Sequence, residues 1–317
     1  MGIDGKIRIG ISSCLLGERV RYDGGHKKDS WINGTLSDYV EFVPVCPEVG
    51  IGLGVPRPTI RLVNVEGETR VRGVKDASVD VTEALHEYAR DAVPKLGNIT
   101  GYILKKDSPS CGMERVKRYT EKGMPEKNGI GAYAETLMQL LPNLPVEEEG
   151  RLGDPMLREN FIERLFCYRR WQQLEEEGVT VHRLTTFHAQ HKYNFMAHNQ
   201  QACRELGKIA AAARDNNVEE VAEQYIALAM RTLKRRATRK NHLNVLQHLQ
   251  GYLKRDLDRD DKAELGDVFG RYHKGEVPLI VPITLLKHHF RKCPDPYIEN
   301  SYYLSPYPAE LRLRNGI

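Results

Sequence analysis

Three cysteines in this chain sit in polar, turn-rich segments, whereas a buried structural cysteine normally sits within an apolar periodic run. Cys14 lies in Ser12-Ser13-Cys14-Leu15-Leu16-Gly17, followed by Arg21-Tyr22-Asp23-Gly24. Cys46 lies in Val45-Cys46-Pro47-Glu48-Val49-Gly50, followed by Pro56-Arg57, and Cys111 ends Ser108-Pro109-Ser110-Cys111, after Leu104-Lys105. Thiolates ligate zinc and iron–sulfur clusters, and three are one short of the set that closes a structural zinc site or an electron-transfer cluster. A metal centre built on three thiolates keeps an open position, which suits catalysis. Glu48, two residues from Cys46, is of a type that carries protons; its plainer reading is a partner for Arg57 that orders the turn. Ser108 and Ser110 offer a reactive hydroxyl or the ordinary hydrogen bonds of a turn.

Each of these cysteines lies beyond a short apolar, β-branched run: 7–11, 40–45 and 101–104, with a further strand at 60–63. A helix is expected over 78–96, with its cap near Thr82, and another over 132–141. Strands alternating with helices give an α/β N-terminal domain with a mainly parallel sheet, whose ligands bind beyond the carboxyl ends of the strands. That placement lets three segments distant in sequence share one site. The strand signal stops at the Pro-, Glu- and Gly-rich stretch 141–150, so the α/β domain is read as 1–145 and an all-α helical C-terminal domain as 146–317. In the latter, Phe161, Leu165, Tyr168 and Trp171 form an apolar stripe, and helical runs are expected over 181–213, 217–233, 238–255 and 260–274. No fixed-period repeat is present, which favours a bundle over a solenoid.

The length of 317 residues fits two domains. No run of 18 apolar residues offers a membrane span, residues 1–6 lack the apolar core of a secretory signal, and Lys6 breaks the myristoylation pattern. A cytoplasmic location is expected, where six cysteines do not form a disulfide framework. Cys167, Cys203 and Cys293 lack the polar turns of the other three and are read as buried or neutrally exposed residues. His188, His191, Phe195 and His198 share one helical face, and the histidines are read as satisfied in a helix interface or contacting phosphate, with no second metal assigned. From Arg231 to Leu253 there is no acidic residue. Arg231, Arg235, Arg239 and His242 follow helical spacing there, with Lys240 beside them, which suits either phosphate contact or a solvated helix face.

Taken together, the three cysteine motifs resemble the thiouracil desulfidase family over roughly residues 7 to 145. The resemblance implies a 4Fe-4S cluster held by Cys14, Cys46 and Cys111, with one iron not ligated by protein, and catalytic roles for Glu48 and Ser108. It also implies a non-redox reaction in which the open iron takes the substrate's sulfur and water, helped by Glu48 or Ser108, attacks the carbon. The second half resembles the helical domain often fused after it, through Phe161-Ile162-Glu163-Arg164-Leu165-Phe166, the segment 188–198 and the ending Tyr302-Tyr303-Leu304-Ser305-Pro306-Tyr307-Pro308. Such fusions resemble tRNA 4-thiouridine desulfidases, which implies thiolated tRNA as partner, with Arg231, Arg235, Arg239 and Lys240 as nucleic-acid contacts. A base attacked at the bottom of a crevice must be splayed out of folded RNA. The expected protein is a hydrolase of 4-thiouridine in tRNA, with free thiouracil or thionucleotides as alternative substrates. A nucleic-acid-binding iron–sulfur redox sensor, which needs no Glu48 chemistry, is the alternative from another class.

Overall fold

A computed structural model describes residues 6–315 apart from Glu121 and Asp215, so residues 1–5, on which the reading of the leader rests, lie outside the described residues. The chain divides into two compact units, Met1–Gly153 and Asp154–Ile317.

In the first unit the elements run β1 (Ile7–Ser12), α1 (Ser30–Gly34), β2 (Val40–Val45), α2 (Pro47–Gly50), β3 (Ile60–Val65), β4 (Glu68–Gly73), α3 (Thr82–Lys95), β5 (Gly101–Leu104), β6 (Val116–Tyr119), β7 (Pro125–Gly129), α4 (Ala132–Leu140) and β8 (Val146–Glu148). Strands β2-β1-β5-β8 form a wholly parallel sheet. Its central strands are near-continuous apolar runs, as expected of parallel strands covered on both faces: Ile7, Ile9 and Ile11 of β1 and all of β5 are buried. Gly10 makes room for its neighbour, since a Cβ there would stand 2.3 Å from the Tyr102 ring.

The run at 60–63 does not join this sheet. It belongs to a second one, ordered β4-β3-β6-β7, in which the antiparallel hairpins β3/β4 and β6/β7 are joined through parallel β3 and β6. Leu62, Val71 and Val116 of this sheet pack with Val81 and Leu85 of the α3 region and Ala132 of α4. Thr82 begins α3 without capping it; its hydroxyl accepts from the Val71 amide at 2.7 Å and bonds Asp80 at 2.6 Å. The acidic stretch read as a linker at 146–148 is β8, paired with β5, so the compact unit closes at Gly153 and not at residue 145.

The second unit contains α5 (Pro155–Glu176), α6 (Val181–His198), α7 (Gln200–Ala212), α8 (Val218–Leu233), α9 (Arg239–Tyr252), α10 (Arg259–Lys274), α11 (Ile280–Lys292) and the short α12 (Pro296–Glu299). The run expected over 181–213 breaks at Asn199, whose side chain caps α7 by accepting from Gln201 and Ala202. Trp171 stacks on Tyr225 at 5.8 Å and meets Phe187 edge-on at 5.3 Å at the heart of one large core. Among the described residues no helix is long and apolar enough to cross a membrane.

A polar network runs through this core. Glu163 accepts from Asn194 at 2.6 Å and faces His198 Nε2 at 3.2 Å, while His198 Nδ1 bonds the Arg235 carbonyl. Glu159 accepts from Arg314 Nε at 3.0 Å and from the Tyr307 hydroxyl at 2.9 Å, tying the C-terminal segment to α5. Burial alone would lift the Glu163 carboxyl and lower His198. Their mutual hydrogen bond and charge outweigh it, holding Glu163 below and His198 above the ordinary values of 4.5 and 6.5. The Glu163 contribution is complete above 4.5 and is lost as the pH falls; the His198 contribution is complete below 6.5 and is lost as the pH rises. In denaturant unfolding of the whole chain, the stability lost on His198→Gln should therefore be largest between pH 4.5 and 6.5 and should shrink at pH 9.

Candidate active site

The three cysteine loops leave adjacent parallel strands at the same edge. Ser12, the last residue of β1, pairs with Val45, the last of β2, and Ile11 pairs with Ile103 of β5, so Cys14, Cys46 and Cys111 emerge side by side. All three are free thiols and line one cavity of about 460 Å³ together with Glu48 and Ser108. The convergence expected from strand-end placement is present in the structure.

Each loop is fixed by backbone chemistry. Cys14 lies in a single 3₁₀ turn closed by Gly17, whose φ of 101° no side-chain-bearing residue adopts comfortably, and its carbonyl accepts from the amides of Gly17 and Lys27. Cys46 stands at the N-cap of the short α2, and its thiol lies 3.9 Å from the Val20 carbonyl. The Cys111 loop covers the start of α4: the carbonyls of Pro109, Ser110 and Gly112 accept from the amides of Ala132, Ala134 and Gly131. This satisfies N–H groups that a helix start leaves unpaired.

The carboxylates of 147–149 brace the same region. Glu148 accepts from the Met113 amide at 2.8 Å, Glu149 accepts from the Lys106 amide at 2.7 Å and pairs with the Lys105 ammonium, and Glu147 pairs with Arg151 at 2.6 Å.

The plainer reading of Glu48, a partner for Arg57, is present in the structure. Arg57 grips one of its oxygens through Nε at 2.8 Å and Nη2 at 2.7 Å, and the Ser110 hydroxyl donates to the other at 2.9 Å. The Glu48 and Arg57 side chains are only 14% and 5% exposed, so this carboxylate is held in place at the wall of the cavity. Ser108 Oγ accepts from the amides of Ser110 at 3.2 Å and Cys111 at 3.1 Å, so the turn role read for it is present too. Ser12, Arg57, Ser110 and Lys105 are parts of the site that motif reading leaves in the background. Ser12 Oγ accepts from the Lys105 amide at 3.0 Å and donates toward the Cys111 sulfur, linking two of the three loops.

Burial pushes the Cys14 thiol up to about 11, against the lowering charges of Lys105 and Arg21. Burial also raises Cys46, opposed by the Val49 amide and Arg57, and raises Cys111 strongly, with the Glu48 charge adding and Ser12 opposing. Buried thiols are poor nucleophiles, and a thiol that ligates a metal gives up its proton. Among the described residues no three His, Cys, Asp or Glu side chains are gathered tightly enough to grip a single metal ion. Three thiols gathered round one cavity are a donor set that fits an iron–sulfur cluster.

Elsewhere the sequence expectations meet different surroundings. Arg231, Arg235, Arg239 and Lys240 are all exposed, but α8 ends at Leu233 and α9 begins at Arg239, so they do not share one helix. His242, grouped with them by spacing, is buried and bonds the Tyr303 hydroxyl at 2.8 Å, because its helix turns that face into the core. His188 bonds the Tyr225 hydroxyl at 3.0 Å and His191 the Phe187 carbonyl at 3.0 Å. Cys167 and Cys203 are buried in the helical core.

A family model described as 2-thiouracil desulfurase matches residues 9–149, and one described as a protein of unknown function (DUF1722) matches residues 192–308. The uncharacterized protein YbgA of Escherichia coli (strain K12) is 30% identical over 154 residues, 48% of this chain and 91% of that protein. The uncharacterized protein YbbK of Bacillus subtilis (strain 168) is 35% identical over 135 residues, 41% of this chain and 88% of that protein. The chain belongs to the 2-thiouracil desulfurase family. Among solved structures, the [4Fe-4S]-dependent thiouracil desulfidase TudS is similar at 31% identity, with a TM-score of 0.37, over 47% of this chain and 94% of that one. The stretch that places the chain in the desulfurase family is the stretch that contains all three cysteine loops, Glu48 and Ser108.

Removing Arg57 leaves the Glu48 carboxylate without its charge partner, and Arg57→Leu should lower stability by about 3–5 kcal/mol, the cost of breaking a buried pair, read as a shifted denaturation midpoint. A Cβ at Gly131 would stand 2.5 Å from the Ser110 carbonyl carbon and 2.8 Å from the Cys111 amide. Gly131→Ala should therefore cost about 1–3 kcal/mol by overpacking and weaken cluster incorporation, seen as lower visible absorbance after anaerobic reconstitution.

Proposed function

We propose that this protein is a [4Fe-4S]-dependent desulfidase that removes sulfur from thiolated uracil by a non-redox, hydrolytic route, with 4-thiouridine in tRNA as its substrate. The observation that carries the reading is the joint placement of Cys14, Cys46, Cys111, Glu48 and Ser108 round one cavity in a chain of the 2-thiouracil desulfurase family.

Cys14, Cys46 and Cys111 are the residues that would hold the cluster. Bound there with one iron free of protein ligands, the cluster supplies a Lewis acid for the substrate's sulfur. The protein supplies the proton chemistry. Glu48 Oε1 accepts from Ser110 and Oε2 from Arg57, which fix the carboxylate at the cavity wall, so Glu48 is placed to take a proton from water. Ser108 spends its acceptor capacity on two backbone amides, which leaves its hydroxyl hydrogen to donate toward the carbonyl or ring nitrogen of a pyrimidine. Glu48 thus acts as base and Ser108 as donor.

The helical unit supports the RNA part of the reading through Arg231, Lys234, Arg235, Arg236, Arg239 and Lys240, all exposed within one short stretch free of carboxylates. Phosphate contacts of this kind confer affinity without sequence preference.

Anaerobic reconstitution with iron and sulfide, followed by incubation with thiolated tRNA, is expected to release sulfide. Cys14→Ala, Cys46→Ala and Cys111→Ala should each abolish both cluster absorbance and turnover; retention of both by all three variants would overturn the reading. Glu48→Gln should keep the cluster and lose activity by about 10²-fold or more, the usual contribution of general base catalysis, and a sensor without turnover would be indifferent to it. Reversing charge at Arg235 and Lys240 should weaken tRNA binding and lower its salt slope by about 1 for each phosphate no longer neutralised; unchanged affinity would remove the helical unit from RNA binding.

A further inference from the structure

Helices α10 and α11 are joined by the short stretch 275–279 and pack against each other, so they run antiparallel. A cavity of about 640 Å³ lies between them, lined by residues of this helix pair and wholly within the helical unit. The antiparallel arrangement sorts its walls. Asp261 and Glu264, from the first turns of α10, stand at the same end as His288 and His289, from the last turns of α11, while Val268, Val281 and Leu285 supply aliphatic surface. No lysine or arginine is among the lining residues. Asp261 and Glu264 are one helical turn apart, and among the described residues neither carboxylate has an ion-pair or hydrogen-bond partner. Thr284 donates its hydroxyl hydrogen to the Ile280 carbonyl at 2.7 Å, which leaves it an acceptor towards the cavity.

Independently of the carboxylates, His289 marks the same place. It lines the cavity while only 4% exposed, and its buried Nε2 has no hydrogen-bond partner among the described residues. Buried polar atoms are nearly always satisfied, so an unsatisfied one on a cavity wall calls for a ligand that satisfies it. Among the described residues no three His, Cys, Asp or Glu side chains are gathered tightly enough to grip a metal ion, so these acceptors suit a cation whose charge is carried on N–H groups. A primary ammonium has three N–H donors, for which two carboxylates and one imidazole are a matching set of acceptors. The aliphatic walls favour a ligand that also carries methylene groups, because burying them removes apolar surface from water.

We propose that the cavity between α10 and α11 is a binding site for a free aliphatic primary amine, with the ammonium received by Asp261, Glu264 and His289 and the alkyl chain laid along Val268, Val281 and Leu285. The site shares no residue with the cavity of the three thiols and does not depend on the desulfidase reading, so either can fail without the other.

Head and tail of the ligand can be tested separately by isothermal titration of the full chain at fixed ionic strength. The dissociation constant for n-hexylamine should be about tenfold lower than for methylamine, equivalent to about 1.4 kcal/mol, and n-hexanol should not bind. Asp261→Asn and Glu264→Gln should each weaken n-hexylamine binding about threefold or more, the scale of one partly exposed ion pair. Asp267→Asn removes a carboxylate of α10 that does not line the cavity and should leave the affinity unchanged. Val281→Ser should shrink the advantage of n-hexylamine over methylamine. All four positions are partly or fully exposed, so the fold should survive each change, and an unaltered far-ultraviolet circular dichroism spectrum checks that it has. Equal affinity for n-hexanol and n-hexylamine, n-hexylamine binding indifferent to both carboxylate substitutions, or an equal loss in Asp267→Asn would each overturn the site. Tighter binding of N-acetyl-lysine methylamide than of n-hexylamine would assign the cavity to a lysine side chain of a partner protein and overturn the free amine.

Discussion

Everything at the candidate site depends on β1 being hydrogen-bonded on both sides to strands that run in its own direction. Parallel pairing with β2 and β5 brings three chain segments, each separated by dozens of residues, to one edge, and the register sets their relative heights. A slip of one residue would swap Ile7, Ile9 and Ile11 with Arg8, Gly10 and Ser12 between the two covered faces and move Cys14 relative to the other two thiols, so packing and site geometry are specified by the same pairing. Ser12 sits at the point of greatest consequence, where the last rung of β1 becomes the first bond between the Cys14 and Cys111 loops.

The parts of this arrangement that can be read from the sequence are those whose signal is local. Three cysteines outside apolar periodicity, each after a β-branched run, are enough to place them together, and Pro56-Arg57 following Glu48 is enough to raise an ion pair that the structure contains. The second sheet escapes such a reading because β4, β6 and β7 are dominated by Arg, Lys, Glu and Asn, with too few apolar residues to alternate visibly, and because its short core borrows Leu85 and Ala132 from helices. Glu147, Glu148 and Glu149 look in sequence like a solvated linker. Acidic residues at a strand end are legible as braces only once the amides and ammonium they satisfy are known, and those lie some 35 to 44 positions earlier.

The helical unit illustrates a different limit. Spacing alone puts Arg231, Arg235, Arg239 and His242 on one face, but spacing presumes an unbroken helix, and the chain leaves helical geometry between Leu233 and Arg239. The row of histidines on α6 serves the packing of the unit. His198 bridges the buried Glu163 to the Arg235 carbonyl, so the loop that displays the exposed cations is anchored to a buried polar pair. Breaking that pair would loosen surface residues that touch none of the network directly. Buried charges of this kind add little net stability against an apolar core, yet removal of one partner is costly, which ties the basic loop to the integrity of the core.

The position of β8 bears on how proteins of this type can be assembled from parts. The last strand of the parallel sheet brings with it the carboxylates that hold the Met113 and Lys106 amides, so the support of the cysteine loops is completed only at the very end of the first unit. A gene fusion that joined a new module at the proline-rich stretch near residue 145 would inherit all three thiols and still lack their scaffolding. A junction placed after Gly153 leaves the first unit with its scaffolding complete.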